Sequence, residues 1–255
     1  MNKITVSQLQ PGDVLLYHRT AFMSRLIQLF DGTSFSHASI FDGENVVEAI
    51  GSGVVVRSVH DSTFDAEYVK VFRLFKSGNV LGSPELPYDP VGQKGIDWFK
   101  NNPQRYAYEE ILLLAVLAIT RRVPLPFVRP ILDHAAGVIV AIIAQGKQPV
   151  ICSELVYRCF LNAGDQYLPT IVGYQELGAV IARNARLGGP DAQRLDDEEF
   201  ERRRITAQYL ELYLRSKMEA ENFNAFGAVG PDPNFITPGD LSKSPDLHCQ
   251  GVLQT

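Results

Sequence analysis

A histidine and a glutamate are predicted to meet across a β-hairpin. The dipeptide Asp42-Gly43 separates two apolar runs that carry His37 and Glu48. Asp-Gly in this setting favours a two-residue loop, which places His37 directly opposite Glu48. Facing residues of an antiparallel pair have Cβ atoms about 4.5–5.5 Å apart and share one face of the sheet. A four-residue loop puts Glu48 diagonal to His37 and still within reach, whereas a three-residue loop separates them.

The His37–Glu48 pair has two interpretations. A carboxylate beside an imidazole fixes the orientation of the ring and stabilises its protonated form, as a catalytic base requires. Cross-strand pairs of opposite charge also stabilise sheets that have no catalytic role. The hairpin by itself leaves both interpretations open, and the structural one is the more common in sheets.

Cys152 is the candidate nucleophile. It lies at the start of a predicted helix, 151–163, where the partial positive charge of the helix end favours a thiolate. Cys152 is also in phase with the apolar face of that helix, which favours a core cysteine. Cys159 has the same phase without a helix end, so it is predicted to be a core residue. Cys249 lies in the C-terminal tail and is assigned no role.

The elements that must hold these residues begin with a β region in the first third of the chain. Apolar and β-branched runs alternate there with Gly-rich and Asp-rich turns, which is typical of an antiparallel meander. The predicted strands are Val14–Tyr17, Ser36–Phe41, Asn45–Ile50, Val54–Val59 and Tyr68–Phe75.

Helices are predicted to dominate the rest of the chain. Residues 151–163 have apolar side chains at helical spacing, and Gly164 ends that helix. The apolar segments 107–120 and 131–146 predict a helical pair, and 192–222 predicts a charged, exposed helix. The last thirty or so residues, rich in glycine and proline, predict an extended tail.

The order of these motifs resembles that of the circularly permuted NlpC/P60 papain-like cysteine hydrolases. The likeness is greatest to the YiiX/YebB-type branch, and lecithin:retinol acyltransferase is a more distant match. In this family the histidine strand precedes the cysteine helix, the reverse of papain. The resemblance covers roughly residues 8–180. It rests on four motifs: Pro-Gly-Asp at 11–13, Ser-His-Ala at 36–38, Val-Glu-Ala at 47–49 and Ile-Cys-Ser-Glu-Leu-Val at 151–156. Beyond this range, residues 237–241 also resemble a tail motif of the branch.

The resemblance implies a role for each candidate residue. Cys152 is the nucleophile, His37 the general base, and Glu48 the group that orients His37. The backbone N–H of Cys152, at the helix start, donates to the oxyanion. Tyr17, at the end of the first strand, is a weaker candidate for a second oxyanion donor.

The implied fold is α+β and papain-like, with an antiparallel sheet packed on the catalytic-cysteine helix. We predict a hydrolase domain over residues 1–187, with a helical insertion at about 76–146. Residues 188–255 are predicted to form a helical extension and a tail that pack on this domain.

The expected function is that of a thiol hydrolase that cleaves an amide bond in a peptide or a lipid-linked amide. Lipid acyl transfer or phospholipase-type chemistry is one alternative, and a non-catalytic lipid- or partner-binding module is another. The apolar segments 107–120 and 131–146 have two interpretations. They are either a buried helical pair or a peripheral membrane contact, in which Arg121, Arg122 and Arg129 would lie near anionic head groups.

Composition excludes several other classes. With 45% hydrophobic and 21% charged residues, the chain is not of a disordered type. A net charge of −5 without a basic motif gives no electrostatic case for nucleic acid. Neither a phosphate-binding loop nor zinc-ligand spacing is present, so no cofactor and no metal are expected. The sequence makes no prediction of oligomeric state.

Location is predicted from absences and from cysteine use. The longest apolar runs have about half of the 20 residues that a membrane span needs, and no signal peptide is recognised. Three cysteines that cannot all pair suggest a reducing compartment. The default expectation is therefore cytoplasmic, with delivery by a dedicated secretion route as the alternative because cell-wall substrates lie outside.

Overall fold

The computed structural model describes residues 2–20, 24, 28, 32–50, 53–101, 152–172, 233 and 236–254. The chain divides into two compact units: Met1–Tyr106 with Val150–Tyr174 and Pro233–Thr255, and Ala107–Pro149 with Gln175–Asp232. Every described residue belongs to the first unit. The predicted helices at 107–120, 131–146 and 192–222, and the predicted boundary at 187, lie outside the described residues.

Eight strands form a sheet in the described part of the first unit. Its order is β1-β8-β6-β2-β3-β4-β5, and β7 pairs with β6. The β1–β8 pair is parallel, and the remaining pairs are antiparallel. The strands are β1 (Lys3–Thr5), β2 (Val14–His18), β3 (His37–Phe41), β4 (Val46–Ile50), β5 (Gly53–Arg57), β6 (Tyr68–Lys76), β7 (Asn79–Val80) and β8 (Leu247–Gln254).

The five predicted strands correspond to β2 through β6. Their Val, Ile and Phe content suits a pleated surface that is covered on both faces. The prediction starts one residue early at β3 and β4, and it runs two residues past β5, which stops at Arg57 because a helix, α1 (Val59–Thr63), begins shortly after it. Ser58 caps α1, since its side chain accepts a hydrogen bond from the backbone N of Asp61.

The predicted extended tail contains a helix and a strand. The helix α4 (Pro238–Lys243) starts at a capping box in which Thr237 and Asp240 exchange side-chain-to-backbone hydrogen bonds. β8 then enters the sheet between β1 and β6. Its polar centre, His248-Cys249-Gln250, hides the apolar alternation that would have predicted a strand.

The sheet carries a core on each face. One core joins Ala38, Ile40, Val47 and Ala49 to α3 (Cys152–Ala163), which packs against β3 and β4. The other includes Tyr17 of β2 and Val59 of α1. α3 has the predicted helix's bounds within one residue, and Gly164 follows it at φ 121°.

A second helical segment, within the range of the predicted insertion, packs on α3. It consists of a π-helix, Val91–Ile96, that continues into α2 (Asp97–Asn101). Gly95 makes the close approach, because an added Cβ would lie 2.4 Å from the carbonyl O of Cys159. The described part is a large, mainly antiparallel sheet with separate helices, which is an α+β arrangement.

Candidate active site

The hairpin that carries His37 and Glu48 turns over four residues. Ile40 pairs with Val47 and Phe41 with Val46, so the predicted two-residue loop is wrong and the four-residue alternative is found. The longer loop shifts the pairing of the two strands by two residues. Each side chain stays on its predicted face of the sheet, because side chains alternate between faces with a period of two.

The side chain of Asp42 determines this turn. Its Oδ1 accepts hydrogen bonds from the backbone N atoms of Glu44, at 2.9 Å, and Asn45, at 2.6 Å. The backbone N of Asp42 also donates to the carbonyl O of Asn45, at 2.9 Å. Asp42 therefore closes the loop through its side chain, a common role for aspartate in turns.

His37 and Glu48 form a buried pair across this hairpin. Nε2 of His37 lies 2.7 Å from Oε2 of Glu48, and the side chains are 7% and 0% exposed. Glu48 is diagonal to His37 and in contact with it, as predicted for a four-residue loop. Water has little access to this pair, so its geometry is set by the protein.

Glu48 is held in its ionised form. Burial alone raises the pKa of Glu48, but the hydrogen bond and charge of His37, with the charge of Arg19, bring that pKa below its ordinary value of 4.5. Arg57 adds a hydrogen bond from Nη1 to Oε1, at 3.3 Å. A carboxylate only accepts, so Nε2 of His37 carries the hydrogen, and Nδ1 is the basic nitrogen of the neutral ring.

Arg57 is a residue of this site that was not predicted from the sequence. In the β4–β5 pairing, Glu48 faces Val55, which puts Arg57 on the same sheet face in the next position. The Gly51-Ser52-Gly53 punctuation of this second hairpin was the available signal.

Tyr17 lies on the same sheet face, directly opposite His37 on β2. Its hydroxyl is 2.7 Å from Oγ of Ser39 and 2.7 Å from Oγ of Ser62. Burial, followed by the charge of Glu48, raises the pKa of Tyr17. The hydroxyl is therefore engaged inside the protein, which argues against the second oxyanion role considered from the sequence.

Cys152 is the first residue of α3 and is buried, at 2% exposed. The next residue, Ser153, donates a hydrogen bond from Oγ to the carbonyl O of Ile236, at 2.6 Å. The chain just before α4 thus anchors the first turn of the cysteine helix. The other two cysteines differ: burial raises the pKa of Cys159, which lies in the core, and Cys249 is exposed on β8.

The hairpin opens towards His37. The β3–β4 ladder contains only the two residue pairs next to the turn. Beyond them, β3 continues its pairing with β2 as far as His37, and β4 pairs with β5 as far as Ile50. The side-chain bond between His37 and Glu48 crosses this opening on the face that α1 covers, whereas α3 packs on the opposite face of the same two strands.

The remaining described histidines have other partners. His18 contacts Glu67 at 3.2 Å and stacks on Tyr68. His60 is exposed on α1, and His248 stacks on Phe75. No three His, Cys, Asp or Glu side chains in the described ranges are grouped so that they could hold a metal ion. Within the same ranges, no helix is long and apolar enough to cross a membrane.

Comparisons with known proteins give one distant sequence relative. No family model matches the chain. The chain is 28% identical over 174 residues to the probable lipoprotein peptidase YaeF of Escherichia coli (strain K12). This match takes in 64% of the chain and spans 60% of the length of YaeF.

One solved structure is also similar at low identity. The crystal structure of metalloprotein yiiX from Escherichia coli O157:H7, DUF1105, aligns with a TM-score of 0.46 and 15% identity. The alignment covers 96% of this chain and 97% of that chain.

Proposed function

We propose that this protein is a thiol hydrolase of the permuted NlpC/P60 papain-like type, with Cys152, His37 and Glu48 as its catalytic triad. The observation that carries the proposal is the buried 2.7 Å bond between His37 and Glu48. A histidine bonded in this way has a fixed orientation and one free basic nitrogen. His37 and Glu48 thus supply the base and the orienting group of a nucleophile–base–orienter triad.

The position of Cys152 supports its role as the nucleophile. It begins α3, and the N-terminal end of a helix carries a partial positive charge that favours a thiolate. α3 packs on the two strands that carry His37 and Glu48. Because α3 lies on the face opposite these two side chains, we propose that the thiol at its N-terminal end reaches Nδ1 of His37 at the open end of the β3–β4 hairpin.

The proposed reaction has two steps. Nδ1 of His37 accepts the thiol proton while Sγ of Cys152 attacks the carbonyl carbon of the amide, and the backbone N–H of Cys152 donates to the oxyanion. The imidazolium returns its proton to the leaving amine as the C–N bond breaks, which leaves a thioester on Cys152. His37 then removes a proton from water, which attacks the thioester and releases the acid and the free thiol.

The substrate class is proposed from the sequence relative. The name of YaeF describes a probable lipoprotein peptidase. This favours a peptide or lipid-linked amide, of the kind found in a lipid-modified protein, over an isolated lipid ester. The Cys152-dependent release of an amine from an N-acylated peptide would identify this activity.

The test of the triad is the alkylation of Cys152 by iodoacetamide between pH 5 and pH 9. Alkylation of the Cys152 peptide is measured by mass spectrometry, in a Cys249→Ser background that removes the exposed thiol. A thiolate paired with His37 reacts well below the pH of about 8.5 at which a free thiol ionises. We expect His37→Ala to slow the reaction at pH 6 by about tenfold or more, and Glu48→Gln to slow it less.

Cys159 and His60 provide the matched controls. Cys159 lies on the same helix and is buried in the core, so its alkylation should stay slow at every pH. His60→Ala removes an exposed histidine and should leave the Cys152 profile unchanged. A slow Cys152 profile that neither His37→Ala nor Glu48→Gln alters would show a core cysteine, and the proposed function would be wrong.

A further inference from the structure

We propose that Tyr17, Ser39 and Ser62 form a positioning network that holds the His37–Glu48 pair in its catalytic geometry. The inference rests on the proposed function, because it concerns the same site. It assigns Tyr17 to a positioning role, behind the pair, in place of a direct contact with the reacting atoms.

The first part of the network joins three elements through one phenol. Tyr17 faces His37 across the β2–β3 ladder, with ring centroids 5.1 Å apart and an edge-to-face angle of 61°. Its hydroxyl lies 2.7 Å from Ser39 on β3 and 2.7 Å from Ser62 on α1. Tyr17 therefore links the histidine strand to the helix that covers this face of the sheet.

The second part connects that helix to Glu48. Ser62 is, after His37 and Arg19, one of the groups that lower the pKa of Glu48, and its hydroxyl lies 2.7 Å from that of Tyr17. Arg57 donates to Oε1 of Glu48 and to the carbonyl O of Asp61 on α1. Arg19 donates to the carbonyl O of Ser62, at 3.0 Å. The carboxylate and α1 are thus fixed together.

The members of this network are buried, so water cannot easily replace any of their hydrogen bonds. Tyr17, Ser39, Ser62 and Glu48 are fully buried, and His37 is almost fully buried. Water has little access to replace a lost hydroxyl, so removing one leaves its partners free to move. The imidazole contacts Glu48 through Nε2 and also the ring of Tyr17, so a shift of either group changes the direction of Nδ1.

The test extends the alkylation assay to Tyr17→Phe, which keeps the ring and removes the hydroxyl. Because the geometry of a proton acceptor affects rate steeply, we expect alkylation of Cys152 to be about tenfold slower at pH 6. Near pH 9 the thiol ionises without His37, so the rate there should match that of the wild type. A purely structural role would not produce this dependence on pH.

Tyr167→Phe is the matched control. Tyr167 is also fully buried, but it lies in the core on the α3 face, and its hydroxyl has no hydrogen-bond partner among the described residues. We expect this variant to keep the wild-type profile. Ser62→Ala is a smaller change in the network itself, and it should give a partial loss at pH 6 even if Tyr17→Phe fails to fold.

The outcomes separate the two proposals. If the wild type shows His37-dependent reactivity and Tyr17→Phe and Ser62→Ala both keep the wild-type profile, the network is overturned and the proposed function stands. If Tyr167→Phe slows the alkylation of Cys152 at pH 6 as much as Tyr17→Phe does, the effect reflects a general loss of stability, and the network is also overturned. A wild type without His37-dependent reactivity overturns the proposed function and this inference together.

Discussion

The most informative contact at the residue scale is the one between His37 and Glu48. The contact could be predicted from the sequence for a loop of two or four residues, because both lengths keep the two side chains on one face, whereas a three-residue loop would separate them. Its exact register does not follow, because the side chain of Asp42 moves the turn. The supporting hydroxyls of Ser39 and Ser62 have no sequence pattern, since their contact depends on how α1 folds back over the sheet.

Glu48→Gln is predicted to weaken the fold in a pH-dependent way. The pKa of Glu48 is lowered on folding, so the carboxylate stabilises the native state above its unfolded value of 4.5. That contribution is lost as the pH falls through the folded-state pKa. We expect the free energy of unfolding of the variant at pH 7 to be lower by about 1–3 kcal/mol. This is the usual cost of losing a buried hydrogen bond to a charged group.

Urea unfolding at pH 7, 5 and 4 measures this difference. The gap in free energy of unfolding between wild type and variant should narrow as the pH falls below 4.5. Glu44→Gln, in the exposed turn of the same hairpin, is the control and should show little effect. A gap that stayed constant, or widened, towards pH 4 would contradict the lowered pKa.

At the scale of elements, α3 has to be placed against β3 and β4 for the cysteine and the histidine to act together. Its bounds were predictable because its apolar spacing and Gly164 are local signals. The contacts that hold α3 in place were not predictable, because they involve distant parts of the chain. They are the close approach of Gly95 to α3 and the hydrogen bond from Ser153 to Ile236.

Gly95→Ala is predicted to destabilise the protein by about 1–3 kcal/mol, the usual cost of overpacking. The added Cβ would lie 2.4 Å from a backbone carbonyl of α3, so one of the two helices must move. Gln93→Ala, at an exposed position of the same helical segment, is the matched control. Thermal unfolding of both variants tests this, and equal melting temperatures would show that the packing adjusts without cost.

At the scale of the whole molecule, the two ends of the chain complete the sheet. β8, near the C-terminus, lies between β1 and β6, so strands from both ends share one ladder. Sequence patterns did not predict this arrangement, since parallel pairing of β1 with β8 joins segments some 250 residues apart. The α+β class was predictable, because it follows from runs of strands and helices in separate regions.

Deletion of residues 247–255 is predicted to abolish cooperative unfolding. It removes an inner strand, leaves the ladder edges of β1 and β6 unpaired, and exposes both cores, which contain Leu247 and Leu253 respectively. Circular dichroism with urea unfolding provides the measurement. His248→Ala, an exposed change on the same strand, should unfold cooperatively like the wild type. A deletion variant with a wild-type transition would show that β8 is dispensable.

Detection of an acyl-enzyme on Cys152 would test the proposed triad without reference to any natural substrate. p-Nitrophenyl acetate serves as a generic acyl donor, and the proposed chemistry predicts a burst of nitrophenolate with a matching gain of one acetyl group on the Cys152 peptide. Hydroxylamine should remove that group, and His37→Ala should suppress the burst, whereas Cys159→Ser should retain it. Acetylation that is spread over other residues, or that persists in Cys152→Ser, would contradict a cysteine nucleophile at this position.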